Sequence, residues 1–215
     1  AFIQFFIVAC TPETASIRQE LNTLGSFESE LVQYRKNLVA DFEDSIGQFE
    51  DASRYVIDLV ISDGNLDVTG KMGVLYTNTE TIRLDQIYFR LFPNVGGDFL
   101  EVSNVLLNGE PVDSRIDFEN TALIVQIPDG LSPGESAQLD MEFSQTVPQT
   151  MGGNYGLYVY SDEIMALDNF FPIIPVYNEE GWNVEDPPRN ADMVFTDVSF
   201  FDVSVSAPEE WVLVT

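Results

Sequence analysis

Ser136-Ala137-Gln138-Leu139-Asp140-Met141-Glu142-Phe143-Ser144-Gln145-Thr146-Val147 is the stretch whose pattern decides the fold of this chain. Ala137, Leu139, Met141 and Phe143 alternate with Gln138, Asp140, Glu142 and Ser144. A period of two puts the apolar side chains on one face of a strand and the polar ones on the other. A strand of this kind is buried on one side only, as in an antiparallel sheet with a solvated face. The segment just before it, Leu131-Ser132-Pro133-Gly134-Glu135, is a turn. Pro133 presets φ and Gly134 accepts a positive φ, which suits type II geometry.

The same signature recurs on both sides. Tyr55 to Ile61 is rich in β-branched residues and stops at Ser62-Asp63-Gly64-Asn65, a strong turn. Lys71 to Tyr76 follows, so the two runs predict a hairpin. Gln86 to Leu91 is ended by Pro93, which lacks a backbone donor. Leu100 to Leu107 and Glu110 to Val112 flank Asn108-Gly109, a pair suited to a type I′ turn. Ala122 to Ile127 is ended by Pro128-Asp129-Gly130. Tyr155 to Tyr160, Ile173 to Tyr177, Ser199 to Val205 and Val212 to Thr215 complete the set. Strands joined by short turns without intervening helices predict an all-β domain over residues 51–215, an antiparallel sandwich or a bent open sheet. Before it, residues 16–50 carry a helical period, with Leu31, Tyr34, Leu38, Phe42, Ile46 and Phe49 at steps of three and four. Gly25 and Ser26 interrupt this pattern, so the amphipathic helical segment is placed at residues 27–50 and packs on its own domain.

Composition narrows the function. The 215 residues contain 9 Lys+Arg and 36 Asp+Glu, a formal net charge of −27, and no histidine. Such a chain repels phosphate backbones, which argues against nucleic acid as a partner. It repels anionic membrane surfaces as well. A Ser-His-Asp triad and a His-bearing zinc site are impossible on it. Hydrophobic residues at 45% and aromatics at 12% nevertheless supply a real core. Acidic surface with only two lysines, Lys36 and Lys71, suits exported or salty surroundings. The single cysteine, Cys10, has no intrachain disulfide partner.

Ala1-Phe2-Ile3-Gln4-Phe5-Phe6-Ile7-Val8-Ala9-Cys10 is an apolar run well short of the ~20 residues a spanning helix needs. It has the size of a signal-peptide core. Ile7-Val8-Ala9-Cys10 resembles a bacterial lipobox, which implies cleavage before Cys10 and diacylglycerol on its sulfur. On that reading residues 1–9 are a signal-peptide remnant and 10–26 a polar tether opening Thr11-Pro12-Glu13. The protein would then be extracytoplasmic and bacterial, lipid-anchored or secreted, touching a membrane through the lipid alone. The competing reading is a structural cysteine at the end of a first strand.

Ile87-Tyr88-Phe89-Arg90-Leu91-Phe92-Pro93-Asn94 is one of a series of stretches in a fixed order. The others are Gly70 to Asn78, Val105 to Val112, Leu131 to Glu135, Gly156-Leu157-Tyr158, Asn169-Phe170-Phe171-Pro172, and Tyr177 with Gly181-Trp182. Together, over residues 28–215, they resemble the N-terminal β-domain of aminopeptidase N-like zinc metallopeptidases, in their bacterial aminopeptidase-like branch. The resemblance implies a parent acting on peptides, with zinc held by a His-Glu-x-x-His helix in a downstream catalytic domain of the same polypeptide. This chain would then carry no catalytic residue and no metal ligand, and would shape the substrate cleft. The apolar end Leu213-Val214-Thr215 reads as a cut inside a longer protein. Family members lend a Gln or Glu of this domain to the substrate's amino terminus. The matching stretch, Asp162 to Asn169, lacks the expected pair. Asp168 is the nearest candidate, a solvated turn Asp is the plainer reading, and no binding residue is carried over.

Other constellations are weaker. Asp63-Gly64-Asn65-Leu66-Asp67 opens like a Ca²⁺ loop, but its sixth and twelfth positions are Val68 and Val74. Glu179 to Pro188 reads as an acidic surface loop. Arg90, in an otherwise apolar strand, is expected to pair with a carboxylate or face solvent. The alternative function is an adhesion or carbohydrate-binding β-sandwich on a lipoprotein, with Trp182, Tyr155, Tyr158 and Tyr160 as its binding aromatics.

Overall fold

Fourteen strands and two 3₁₀ helices make up a computed structural model that describes residues 4–5, 35, 38–62, 64, 66–150, 158–185 and 194–214. The first strands are β1 (Gln4–Phe5), β2 (Ser53–Ile61), β3 (Asp67–Thr77), β4 (Leu84–Arg90) and β5 (Leu100–Leu107). Next come β6 (Glu110–Pro111), β7 (Ser114–Asp117), β8 (Ala122–Leu131) and β9 (Ser136–Thr146). The last are β10 (Tyr158–Ser161), β11 (Ile164–Leu167), β12 (Tyr177–Asn178), β13 (Gly181–Trp182) and β14 (Ser199–Ser206). A seven-stranded sheet runs β1-β14-β2-β3-β9-β5-β6, and a three-stranded sheet runs β4-β8-β7. β10–β11 and β12–β13 are separate hairpins. The molecule is all-β, as the alternation predicts.

The alternating stretch is β9, and its Ala137, Leu139, Met141, Phe143 and Gln145 are all buried. Their partners in the core are Tyr55, Ile57 and Leu59 of β2, Val68, Met72 and Val74 of β3, and Phe201 and Val203 of β14. From the smaller sheet, Ile87 and Phe89 of β4 and Leu123 and Val125 of β8 join the same cluster. Gly70 lies directly opposite Phe143, and a Cβ there would stand 2.1 Å from the ring. A glycine is therefore needed for the end of the Phe143 ring to occupy that space against β3. The Tyr55 hydroxyl, fully buried, accepts a 3.0 Å hydrogen bond from the Ile174 amide and ties residues 170–174 to β2.

Several expectations require correction. β14 pairs with β2 in parallel, from Ser199↔Ser53 to Ser206↔Val60, so the large sheet is mixed. The chain between β3 and β14 is long enough to return and enter the sheet in the same direction as β2. Ile173 to Tyr177 is not a strand but makes a single bridge to Arg90 before β12 begins. Pro172 and Pro175 deprive that run of ladder donors. Val212 to Val214 form no strand. Pro128-Asp129-Gly130 does not end β8. The register jumps from Gln86↔Gln126 to Leu84↔Leu131, so the turn signal is spent on a bulge. Gly130 takes φ +59° there, with the Arg83 guanidinium where a side chain would stand. Three short strands, β7, β11 and β13, are absent from the sequence reading, which places β13 in an acidic surface loop.

Within the described part of the expected helical segment, Ala40–Phe49 is a 3₁₀ helix rather than an amphipathic α-helix. Asp41, Asp44, Ser45 and Gly47 are poor α-helix formers. Among the described residues of the expected stripe only Ile46 is buried, whereas Leu38 is half-buried and Phe42 and Phe49 are exposed. Cys10, the tether, Leu31 and Tyr34 lie outside the described residues, as does the signal remnant apart from Gln4–Phe5, which pairs with Asp202 and Val203. No helix among the described residues is long and apolar enough to cross a membrane.

Candidate functional site

The β12–β13 hairpin turns at Glu179-Glu180, with the Glu180 amide donating to Asn178 Oδ1 at 2.8 Å and Gly181 at φ +103°. The acidic loop thus begins as a tight hairpin whose purpose in the fold is to place Trp182. That indole stacks on Tyr88 at 5.9 Å and 20°, and meets Tyr177 edge-on at 5.1 Å. Its N–H donates to the Gln86 carbonyl at 3.2 Å. Trp182 therefore latches the hairpin onto β4, with its one polar atom already engaged. Arg90 lies beside this latch and is buried rather than solvent-facing. Its Nη1 donates to the Val184 carbonyl, and its guanidinium sits 5.4 Å from the Phe92 ring centre.

The tyrosines proposed as partners of Trp182 stand elsewhere. The Tyr158 hydroxyl donates to Gln145 Oε1 at 2.8 Å, and its ring leans on Phe99. Burial pushes the Tyr158 phenol well above its ordinary range. Tyr160 packs on Trp211 at 6.2 Å. Tyr155 lies outside the described residues. Among the described residues, then, Trp182, Tyr158 and Tyr160 sit in three separate aromatic contacts and form no shared platform.

The β10–β11 hairpin closes through Asp162 and Glu163, at φ +52° and +65°. Asp168 follows β11, its surface exposed between half-buried Leu167 and Asn169. Partial burial by its surroundings lifts its carboxyl above the usual range, opposed by a hydrogen bond involving Asn169. Two open clefts flank the Tyr160–Trp211 contact. One, of about 820 Å³, is lined by Ile164, Met165, Val203 and Val205 among others. The other, of about 810 Å³, includes Asp67, Thr146, Pro148 and Glu210.

In the stretch read as a Ca²⁺ loop, Asp67 Oδ1 accepts a 2.6 Å hydrogen bond from Thr146 Oγ1, and the Ser62 amide donates to the Asp67 carbonyl. Asp63 and Asn65 lie outside the described residues. Among the described residues no group of three or more His, Cys, Asp or Glu side chains is placed to hold a metal.

Sequence reasoning missed two buried asparagines. Asn78 Nδ2 donates to the carbonyls of Ile82 and Leu131, and its Oδ1 accepts from the Glu80 amide. Asn94 Nδ2 donates to the carbonyls of Leu100 and Asn120, while the Leu100 amide donates to Asn94 Oδ1 at 2.7 Å. Each asparagine immediately follows a strand or a strand-ending proline, which was the available signal. Missed as well were Asp58 and Asp202, carboxylates on neighbouring strands β2 and β14. Burial raises both above their ordinary range, and the Asp202 charge adds to the effect at Asp58.

What the fold defines is an all-β sandwich domain. No family model matches the chain. No curated protein matches it. Among solved structures, it is similar to an M1 zinc metallopeptidase from Deinococcus radiodurans, at 20% identity and a TM-score of 0.42, over 57% of this chain and 28% of that one. A variant of a two-domain M1 zinc metallopeptidase bound to L-arginine is similar at 18% identity and a TM-score of 0.44, over 74% of this chain and 33% of that one. The chain thus spans a third or less of the length of these structures.

Proposed function

We infer that this chain is the non-catalytic N-terminal β-domain of an extracytoplasmic zinc aminopeptidase-like protein. It forms one wall of the peptide-substrate cleft, and the catalytic domain is carried elsewhere on the polypeptide. One observation carries the reading: the described stretches of the motif series fall on strands of the fold and on the turns that join them. Gly70 to Asn78 lies on β3 and its end, Ile87 to Asn94 on β4 and the turn after it, and Val105 to Val112 on the β5–β6 hairpin. Leu131 to Glu135 is the turn into β9, and Gly181-Trp182 is β13.

The residues that make these motifs recognisable are those the backbone requires. Gly70 underlies Phe143, Asn78 and Asn94 bind orphan backbone groups, and Gly109, Gly134 and Gly181 have φ of +83°, +79° and +103°. In this account zinc belongs to the catalytic domain, which would polarise the scissile carbonyl and its water. This domain would cover one side of the cleft in which that chemistry takes place. Cys10 bears the lipid that holds the protein at the outer face of a membrane.

Two experiments test this. The chain of 215 residues, supplied with zinc and an aminoacyl-nitroanilide, is expected to show no turnover. Turnover by this chain alone would contradict the non-catalytic assignment. Metabolic labelling with a palmitate analogue is expected in cells expressing the protein and absent in Cys10→Ala. Labelling that survives the substitution removes the anchor from the account.

A further inference from the structure

Asn108 and Gly109 are the two central residues of the β5–β6 turn, at φ +49° and +83°, with Leu107 facing Glu110 across it. Asn108 is exposed. Its amide donates to the Gln138 carbonyl at 2.8 Å, and its Oδ1 accepts from the Gln138 amide at 3.0 Å. We propose that Asn108 is a site of spontaneous deamidation held in check by the fold and released when the β5–β6 hairpin opens. The chemistry needs no partner but water. The Gly109 backbone nitrogen, after losing its proton, attacks Asn108 Cγ. A C–N bond forms, the Cγ–Nδ2 bond breaks, and ammonia leaves with the proton. Water then opens the five-membered imide at either carbonyl, giving aspartate or isoaspartate. Glycine at the following position leaves the attacking nitrogen unshielded.

The folded turn opposes the first step in two ways. In type I′ geometry the first central residue has ψ of about +30°. That rotation puts the Gly109 nitrogen on the far side of the Asn108 Cα–C bond from Cβ, away from Cγ. The hydrogen bond from Gln138 also holds the side-chain carbonyl toward β9. Isoaspartate adds one atom to the backbone path of a two-residue turn and so opposes the Leu107↔Glu110 register, whereas aspartate leaves that path unchanged.

Asn104 is an internal control in the same hairpin region. It also has a positive φ (+51°), and its Nδ2 donates to Glu142 Oε2 at 2.6 Å, but bulky Val105 follows it. The test incubates the purified protein at mildly alkaline pH, folded and in denaturing urea. Peptide mass spectrometry then follows amide-to-acid conversion at both asparagines. Asn108 is expected to convert in urea while Asn104 persists, and to convert roughly tenfold or more slowly in the folded protein. Equal rates at Asn108 with and without urea would overturn the gating. An Asn108 that stays intact in urea would overturn the site.

Discussion

Asn78 shows how much of this fold depends on single polar side chains. It is fully buried, and it supplies donors to two carbonyls and an acceptor to one amide where β3 ends. Removing it leaves the buried Leu131 carbonyl without that donor, and an orphaned buried group costs more than the bond itself is worth. Asn78→Ala is expected to destabilise the protein by about 2–3 kcal/mol, read as a lower urea midpoint with an unchanged slope. A midpoint within error of the parent would show that the carbonyls find other partners. Asp202 presents the opposite case, a carboxylate the fold prefers neutral. Burial raises its pKa, so the stability linked to it is complete below the ordinary carboxylate range and declines as pH rises through the elevated value. Asp202→Asn is therefore expected to raise Tm at pH 7. The difference from the parent closes as pH falls below about 4. A gain that persists unchanged in acid would assign the effect to something other than this charge.

At the scale of elements, Trp182 is the main device that ties a hairpin to the body. It contacts Tyr76, Tyr88 and Tyr177 and donates to the Gln86 carbonyl, although the β12–β13 ladder itself is only two residue pairs long. Such a short ladder cannot stand alone. Trp182→Ala is expected to cost about 3 kcal/mol, with amide-exchange protection lost at Asn183 before it is lost in β9. Uniform loss across β9 and the hairpin would place Trp182 in the global core instead.

The same scale shows what could be read from sequence. β2, β3, β5, β9 and β14 were legible because each couples an apolar pattern to a turn residue at its end. β7 was not, since its four residues are all exposed and no face of it looks apolar. The end of β8 misled because Pro128-Asp129-Gly130 carries the same chemistry in a bulge as in a turn. The parallel pairing of β14 with β2 was hidden, since alternation is identical for either direction. For the candidate site, Trp182 was visible as an aromatic in a loop, but its contacts apart from Tyr177 come from Tyr76, Gln86 and Tyr88, roughly a hundred residues away in the chain.

Over the whole molecule, charge is the dominant unbalanced term. Three surface ion pairs are seen among the described residues, against a net charge of −27. Exposed pairs of this kind contribute little, while like-charge repulsion acts on the compact state throughout. Added monovalent salt screens that repulsion, with a Debye length falling from about 30 Å at 0.01 M to about 3 Å at 1 M. Tm is accordingly expected to rise steadily with sodium chloride over that range, measured by circular dichroism. A flat or falling Tm would mean that the carboxylates are too dispersed to strain the fold.

The proposed role is that of one wall of a zinc peptidase's substrate cleft. It is tested most directly by reading the coding sequence beyond Thr215. The account predicts a His-Glu-x-x-His helix with a second Glu after it, about one further domain of some hundred residues or more downstream. A stop codon or a second sandwich repeat in that place would contradict it.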